Sequence, residues 1–245
     1  MSLSTLQLLE QLKQKQWVDL THEFGPNSPH FPAFNDAEFK TLFDHSDGFF
    51  VHQYTFPGQY GTHIDPPIHF AARQPRYIND LKLKQELVLP LIVIDKSKEA
   101  AEDPDFTLQP EDILAWEQQH GIIPEGAFVA LRTDWSKRWP DKARFANADA
   151  QGQNHYPGWS VAALQFIYEQ RNAVANGHET FDTDAAVNQQ NGLIAELYVL
   201  ENNHYQVELL ANLDQCPPTG AVIFCIAPKA EKSPGFPVRA FAILP

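Results

Sequence analysis

Gly61-Thr62-His63-Ile64-Asp65-Pro66-Pro67-Ile68-His69-Phe70 is the stretch around which the rest of this chain is best read. His63 and Asp65 stand two residues apart, so on an extended backbone both side chains leave the same face and can reach one ion. Pro66 and Pro67 disfavour helix at that point, and with Gly61 they let the chain bend. A straight strand advancing about 3.3 Å per residue would carry His69 roughly 20 Å from His63, so a turn is needed to bring His69 back. Imidazole nitrogen and carboxylate oxygen suit Zn²⁺, Mn²⁺ or Fe²⁺, and a second imidazole left off the ion is free to move protons. That combination suits water activation. A lone histidine is usually structural, whereas three such groups within seven residues, braced by glycine and two prolines, point to chemistry.

Working outward, residues 6–14 read as a short amphipathic helix and 17–20 as the first buried strand. Residues 39–43 and 49–56 are aromatic-rich and bounded by Asp, Ser, Gly and Pro, the signal for paired strands joined by turns. Residues 87–95 form an apolar run fit for a central strand, and 110–120 have helical spacing with Pro110 at the start. Residues 128–131 read as another buried strand, and 160–172 as a helix entered through Gly158 and Ser160. Strands are expected at 193–200, 205–210, 221–224 and 239–244. Residues 137–157 are the least structured stretch, and Trp139, Phe145 and Tyr156 within them suggest a lid or a partner contact. Strands with interspersed helices and 19 prolines give an α/β fold with long, ordered, site-bearing loops.

The 245 residues are enough for a full hydrophobic core and suit one domain over 1–245. Apolar residues at 43% and charged residues at 20% exclude a disordered chain. A net charge of −13 repels nucleic acid phosphates and anionic membranes, which leaves a small neutral or cation-bound substrate. The longest apolar runs fall far short of the roughly 20 residues a membrane-spanning helix requires. Cys216 and Cys225 lack the spacing of a thiolate metal site and read as isolated structural thiols. Residues 1–12 show no secretory signal, which gives a cytoplasmic reading for the chain as it stands, with a periplasmic one open had a leader been trimmed from before Met1-Ser2-Leu3.

The stretch 61–70 resembles the G-T-H-x-D-x-P-x-H-F signature of the cyclase superfamily of metal-dependent hydrolases, the family of kynurenine formamidase and isatin hydrolase. Similar echoes of the family run along nearly the whole chain. Leu131-Arg132-Thr133-Asp134-Trp135 resembles its L-R-T-x-W strand end, and Tyr156-Pro157-Gly158-Trp159-Ser160 its aromatic-P-G-x-S helix entry. Residues 177–184 resemble the segment that opens a site loop, 208–213 the family's E-N-L-x-N-L, and 235–240 its G-S-P-x-R-A. The resemblance implies a single-domain swivelling β/β/α fold of the cyclase type, assembled as a homodimer or higher homo-oligomer. It implies His63, Asp65 and Glu208 as metal ligands and His69 as general acid/base. Two departures stand out: where two-zinc members have histidines, this chain has Gln59 and Glu196. Those replacements make the site richer in oxygen and shift the expectation toward one Mn²⁺ or Zn²⁺, with a second ion left open.

Glu208 lies among Val207, Leu209 and Leu210, an uncomfortable setting for a plain surface carboxylate. Glu196 is weaker, because an alternating strand faces it outward equally well. Tyr60, Phe70, Trp159 and His178 are candidate substrate contacts; Phe49, Phe50 and Trp135 are further aromatics near the motif, and aromatic side chains suit a planar or apolar substrate. His178 and Asp182 either line the pocket or cap turns.

The expected reaction is hydrolysis of an amide, lactam or ester bond by metal-activated water, with His69 protonating the leaving group. An alternative is a non-haem iron oxygenase with His63, Asp65 and a distant His204 as its facial triad; no basic residue follows His204 until Lys229 to hold an acidic cosubstrate. Another is a non-catalytic metal- or ligand-binding member of the family, against which an unligated His69 argues.

Overall fold

The computed structural model describes residues 3–73 and 75–245, apart from the side chain of residue 191; residues 1 and 2, on which the reading of a trimmed leader falls, lie outside that range. The strands are β1 (Trp17–Asp19), β2 (Glu38–Phe43), β3 (Val51–Thr55), β4 (His63–Asp65), β5 (Val88–Asp95), β6 (Thr107–Leu108), β7 (Phe128–Arg132), β8 (Gly158–Trp159), β9 (Ala175–His178), β10 (Tyr205–Glu208), β11 (Ala221–Ile226), β12 (Phe236–Pro237) and β13 (Arg239–Ile243). The α-helices are α1 (Thr5–Lys13), α2 (Leu83–Glu86), α3 (Ser97–Glu102), α4 (Pro110–His120), α5 (Lys142–Ala146), α6 (Val161–Gln165) and α7 (Ile194–Glu201).

Nine strands form one curled sheet in the order β1-β13-β11-β5-β7-β9-β10-β4-β12. Its centre, β5-β7-β9-β10, is parallel, and antiparallel strands close both ends. β5 shows why its run reads as continuously apolar. Leu91 and Val93 enter one core, with Ile64, Phe128, Val207 and Ile223, while Ile92 and Ile94 enter a second, beneath α4, α6 and α7. A central strand covered on both faces needs apolar residues at every position.

α4 keeps the expected bounds, with Pro110 in its first turn and Gln109 and Asp112 closing a capping box. The helix expected over 160–172 is helical from Val161 to Gln170, widening to a π-turn after Gln165. Residues 194–201 correct the expected strand: they form α7, with Ala195, Glu196, Val199 and Leu200 buried. A short apolar run buried on both sides carries no periodicity that separates strand from helix.

The stretch 137–157 is not an open lid. It contains α5, and Phe145 and Tyr156 are buried with Trp135 and Phe181 in a third cluster. Trp139 donates its indole N–H to the Glu23 carbonyl at 2.9 Å and stacks on His22. By contrast β2 and β3 pair as a separate hairpin whose Phe43, Phe49, Phe50 and Tyr54 are exposed. No helix among the described residues is long and apolar enough to cross a membrane.

Candidate metal centre and active site

β4 alternates as expected: Ile64 points into the first core, so His63 and Asp65 point to the opposite face. The antiparallel register pairs His63 with Glu208 and Asp65 with Gln206, which places four polar side chains of β4 and β10 on that face. β9 adds His178. α7 lies over this face and lowers Glu196 toward it.

Local chemistry sets each group. Gly61 has φ 62°, and a Cβ there would meet the Phe24 side chain at 3.0 Å. Its carbonyl accepts from His63 Nδ1 at 2.8 Å, which turns Nε2 inward. Thr62 Oγ1 donates to the Leu209 carbonyl at 2.6 Å, and Leu209, at φ 55°, is a bulky residue held in the left-handed region beside the site. Pro67–His69 forms a single 3₁₀ turn that folds His69 back as the bend predicts.

His63 Nε2 lies 3.2 Å from Asp65 Oδ2 and 3.3 Å from Glu208 Oε2. Nevertheless His63 Nε2 and Asp65 Oδ2 are buried and make no well-angled hydrogen bond. Ligand atoms of His63, Asp65 and Glu208 all lie within 4.8 Å of one another, as do those of Asp65, His69 and Glu196. His69 Nε2 stands 3.8 Å from Glu196 Oε1, with its side chain a quarter exposed at the edge of the cavity.

Negative charge crowds this point. Burial raises the Glu196 carboxyl, and Glu208, Asp65, Asp182 and Asp184 push it further, well above the carboxylate range. Burial first and Glu208 next bring Asp182 to about 7. Burial opposes a charged His63 ring, yet Asp65 and Glu208 outweigh it and the ring's pKa rises. Burial likewise opposes an ionised Asp65, but His63 and His69 hold its carboxyl below the usual range. Buried carboxylates of one sign are costly unless a cation joins them. Unpartnered inward-facing atoms, imidazole and carboxylate donors, and converging negative charge together fit a divalent cation.

The remaining predicted residues fall in different places. Gln59 donates its amide N–H to Asp65 Oδ1 at 3.2 Å and to the Pro234 carbonyl at 3.1 Å, so its nitrogen side braces Asp65. Gly235 must be glycine for that contact: a Cβ would lie 1.9 Å from Gln59 Nε2. His178 lies behind Glu208, its Nε2 3.4 Å from Oε1, and is not in the cavity wall. Tyr60 is fully buried and its hydroxyl donates to the Gly25 carbonyl, while Trp159 packs in the second core; neither reaches the cavity. Phe49 and Phe50 are on the exposed hairpin, and Trp135 is in the third cluster. His204 stacks on Tyr168 with ring centres 3.7 Å apart and joins neither metal cluster, so it gives no facial triad.

A cavity of about 140 Å³ opens over the cluster. His63, His69, Glu196 and Glu208 are among its polar lining, and Phe31, Phe34, Phe70, Phe181, Leu193 and Leu209 make it apolar elsewhere. Of the expected substrate contacts only Phe70 is there. Phe31 and Phe34 carry no signal in the sequence that marks them for the cavity, since nothing local distinguishes them from core aromatics.

A sequence model of the putative cyclase family matches residues 18–185. The chain belongs to the cyclase family. It is 36% identical to the isatin hydrolase of Roseibium aggregatum over 242 residues, covering 93% of this chain and 91% of that protein. Among solved structures, an isatin hydrolase bound to the product analogue thioisatinate superposes with a TM-score of 0.91 at 32% identity, over 99% of this chain and 100% of the other. Isatin hydrolase A from Labrenzia aggregata, bound to benzyl benzoate, gives 0.90 at 34% identity, over 98% and 99%. The curled α/β sheet is thus the cyclase-family fold, and the chain is an enzyme, a metal-dependent hydrolase. The oxygenase and non-catalytic readings fall away.

Proposed function

We propose that this hydrolase opens the ring of a flat cyclic amide of the isatin type, and that residues 1–245 act as one domain around a single divalent ion, Mn²⁺ or Zn²⁺. The observation that carries the reading is the convergence of His63, Asp65 and Glu208, two of them with an unpartnered or shared ligand atom, on a cavity walled by phenylalanines. Those three residues would hold the ion, with Gln59 bracing Asp65; the neighbouring Asp65, His69 and Glu196 are where a second would sit. Such an ion, when bound, lowers the pKa of water toward neutrality and polarises a carbonyl.

The chain's own groups do the rest. Phe31, Phe34, Phe70 and Phe181 offer apolar surface to a planar ring and keep bulk water from it. His69 Nε2, facing Glu196 across the cavity, takes a proton from the attacking water and delivers it to the ring nitrogen as the C–N bond breaks and a C–O bond forms. Exposed Leu6, Leu8, Leu9 and Leu12 on α1, with the exposed aromatics of β2-β3, support a homodimer or larger homo-oligomer.

Metal-replete protein should open isatin to the ring-opened keto acid, chelation should stop it, and added Mn²⁺ or Zn²⁺ should restore it. His69→Ala should lower kcat about 100-fold or more while metal content stays near normal. Ring opening by that variant at the parent rate removes His69 from the mechanism. No turnover of any cyclic amide by metal-replete protein removes the whole reading.

A further inference from the structure

Three buried carboxyls follow one another along residues 179–184, and they differ in one respect. Glu179 has both oxygens occupied: Oε1 accepts from Ser136 Oγ at 2.7 Å, and Oε2 from the Thr133 backbone N–H at 2.7 Å. Asp184 also uses both, accepting from the backbone N–H groups of Ala195 and Glu196. Those two are explained by the fold.

Asp182 is not. Its Oδ2 takes both protein donors, the Tyr156 hydroxyl and Gln189 Nε2, the latter at 2.9 Å. Gln189 Nε2 lies 2.8 Å from the Tyr156 oxygen as well, so the carboxyl is clamped from behind in one orientation. Oδ1 has no donor among the described residues, although Asp182 is only 5% exposed and lines the same cavity as His63, His69 and Glu208. It belongs to neither group of metal-ligand candidates.

We propose that Asp182 Oδ1 accepts the ring N–H of the substrate, which makes Asp182 the residue that selects an unsubstituted cyclic amide over its N-alkyl counterpart. The inference rests on the cyclic-amide reading above and extends it to a recognition contact. Its chemistry is complementary. The cavity walls are aromatic and apolar, so a flat ring lies between them and presents its in-plane N–H edge-on. A fixed acceptor at that edge costs little to bind and discriminates strongly, because an N-alkyl group leaves it buried and unpaired. Asp182 moves no proton here; it holds one hydrogen bond while His69 serves the leaving nitrogen.

The test compares isatin with N-methylisatin for wild type and Asp182→Asn. The Tyr156 and Gln189 donors turn the new carboxamide oxygen toward themselves, so its NH₂ faces the cavity and an acceptor becomes a donor. Wild type should prefer isatin by about tenfold or more in kcat/KM. Asp182→Asn should raise KM for isatin by a similar factor and bring the two substrates level, with metal content unchanged. Asp182→Ala, checked by thermal melting, provides a second route to the same levelling should the first variant fold poorly. A wild-type ratio near one, or an undiminished ratio in a folded variant, overturns the role of Asp182 while isatin turnover keeps the cyclic-amide reading intact. No isatin turnover by metal-replete wild type overturns both.

Discussion

His22 illustrates how a single side chain ties the site's surroundings to pH. Its ring stacks on Trp139 at 4.4 Å, its Nε2 is buried without a partner, and its backbone N–H donates to Thr62 Oγ1 next to the candidate ligand His63. Burial lowers its pKa from 6.5 to about 4. The folded state therefore prefers the neutral ring. The stability this confers is complete above about pH 6.5 and is lost as pH falls from there toward 4. His22→Phe keeps the stack and removes the titration, so wild type should lose stability relative to that variant between urea melts at pH 7.5 and 4.5. An identical difference at both pH values would mean that His22 does not report burial in this way. Residue-scale reading of the sequence went far here: the two-residue spacing of His63 and Asp65 and the bend before His69 follow from strand pleat and proline sterics. The contacts of Gln59 and Asp182 did not follow, because side-chain partners such as Pro234, Gly235, Tyr156 and Gln189 are distant in sequence.

At the scale of elements, α7 is the piece whose placement matters most. Its N-cap residue, Leu193, supplies no side-chain hydrogen bond, and the first-turn N–H groups of Ala195 and Glu196 are satisfied instead by Asp184 from another segment. Removing that carboxylate in Asp184→Ala should cost about 1–2 kcal/mol in chemical denaturation, near the upper range for a lost cap. It should also loosen Glu196, which that same turn lowers into the cluster. Unchanged stability would show that the helix start is held by packing alone. The residues of α7 read as a strand because both alternatives bury the same apolar side chains, and the deciding cap lies ten residues upstream of the helix, where no local start signal could reveal it.

Across the whole molecule, apolar surface is distributed unevenly. The curled sheet is covered on both faces, yet α1 buries none of its residues and exposes four leucines, and the two-stranded β2-β3 hairpin exposes aromatics. An isolated hairpin is marginal without a covering layer. A homo-oligomer would supply that layer, so sedimentation should show a dimer or larger species, and Leu6→Lys with Leu9→Lys, or Phe43→Ser with Phe50→Ser, should shift it toward monomer. A wild-type chain that sediments as a monomer at micromolar concentration would sink the assembly.

What the linear sequence determined was local: which segments alternate, where the chain must turn, and that an imidazole and a carboxylate leave one face of a strand two residues apart. What only the tertiary structure decided was convergence. Glu208 meets His63 through an antiparallel register, Glu196 arrives on a helix laid across the sheet, and Phe31 and Phe34 close the cavity from a loop near the start of the chain. The reason is physical. Pleat, proline and glycine act over a few residues and leave their mark in spacing, whereas the register between distant strands is set by how whole faces bury one another, a sum over contacts that no short stretch records.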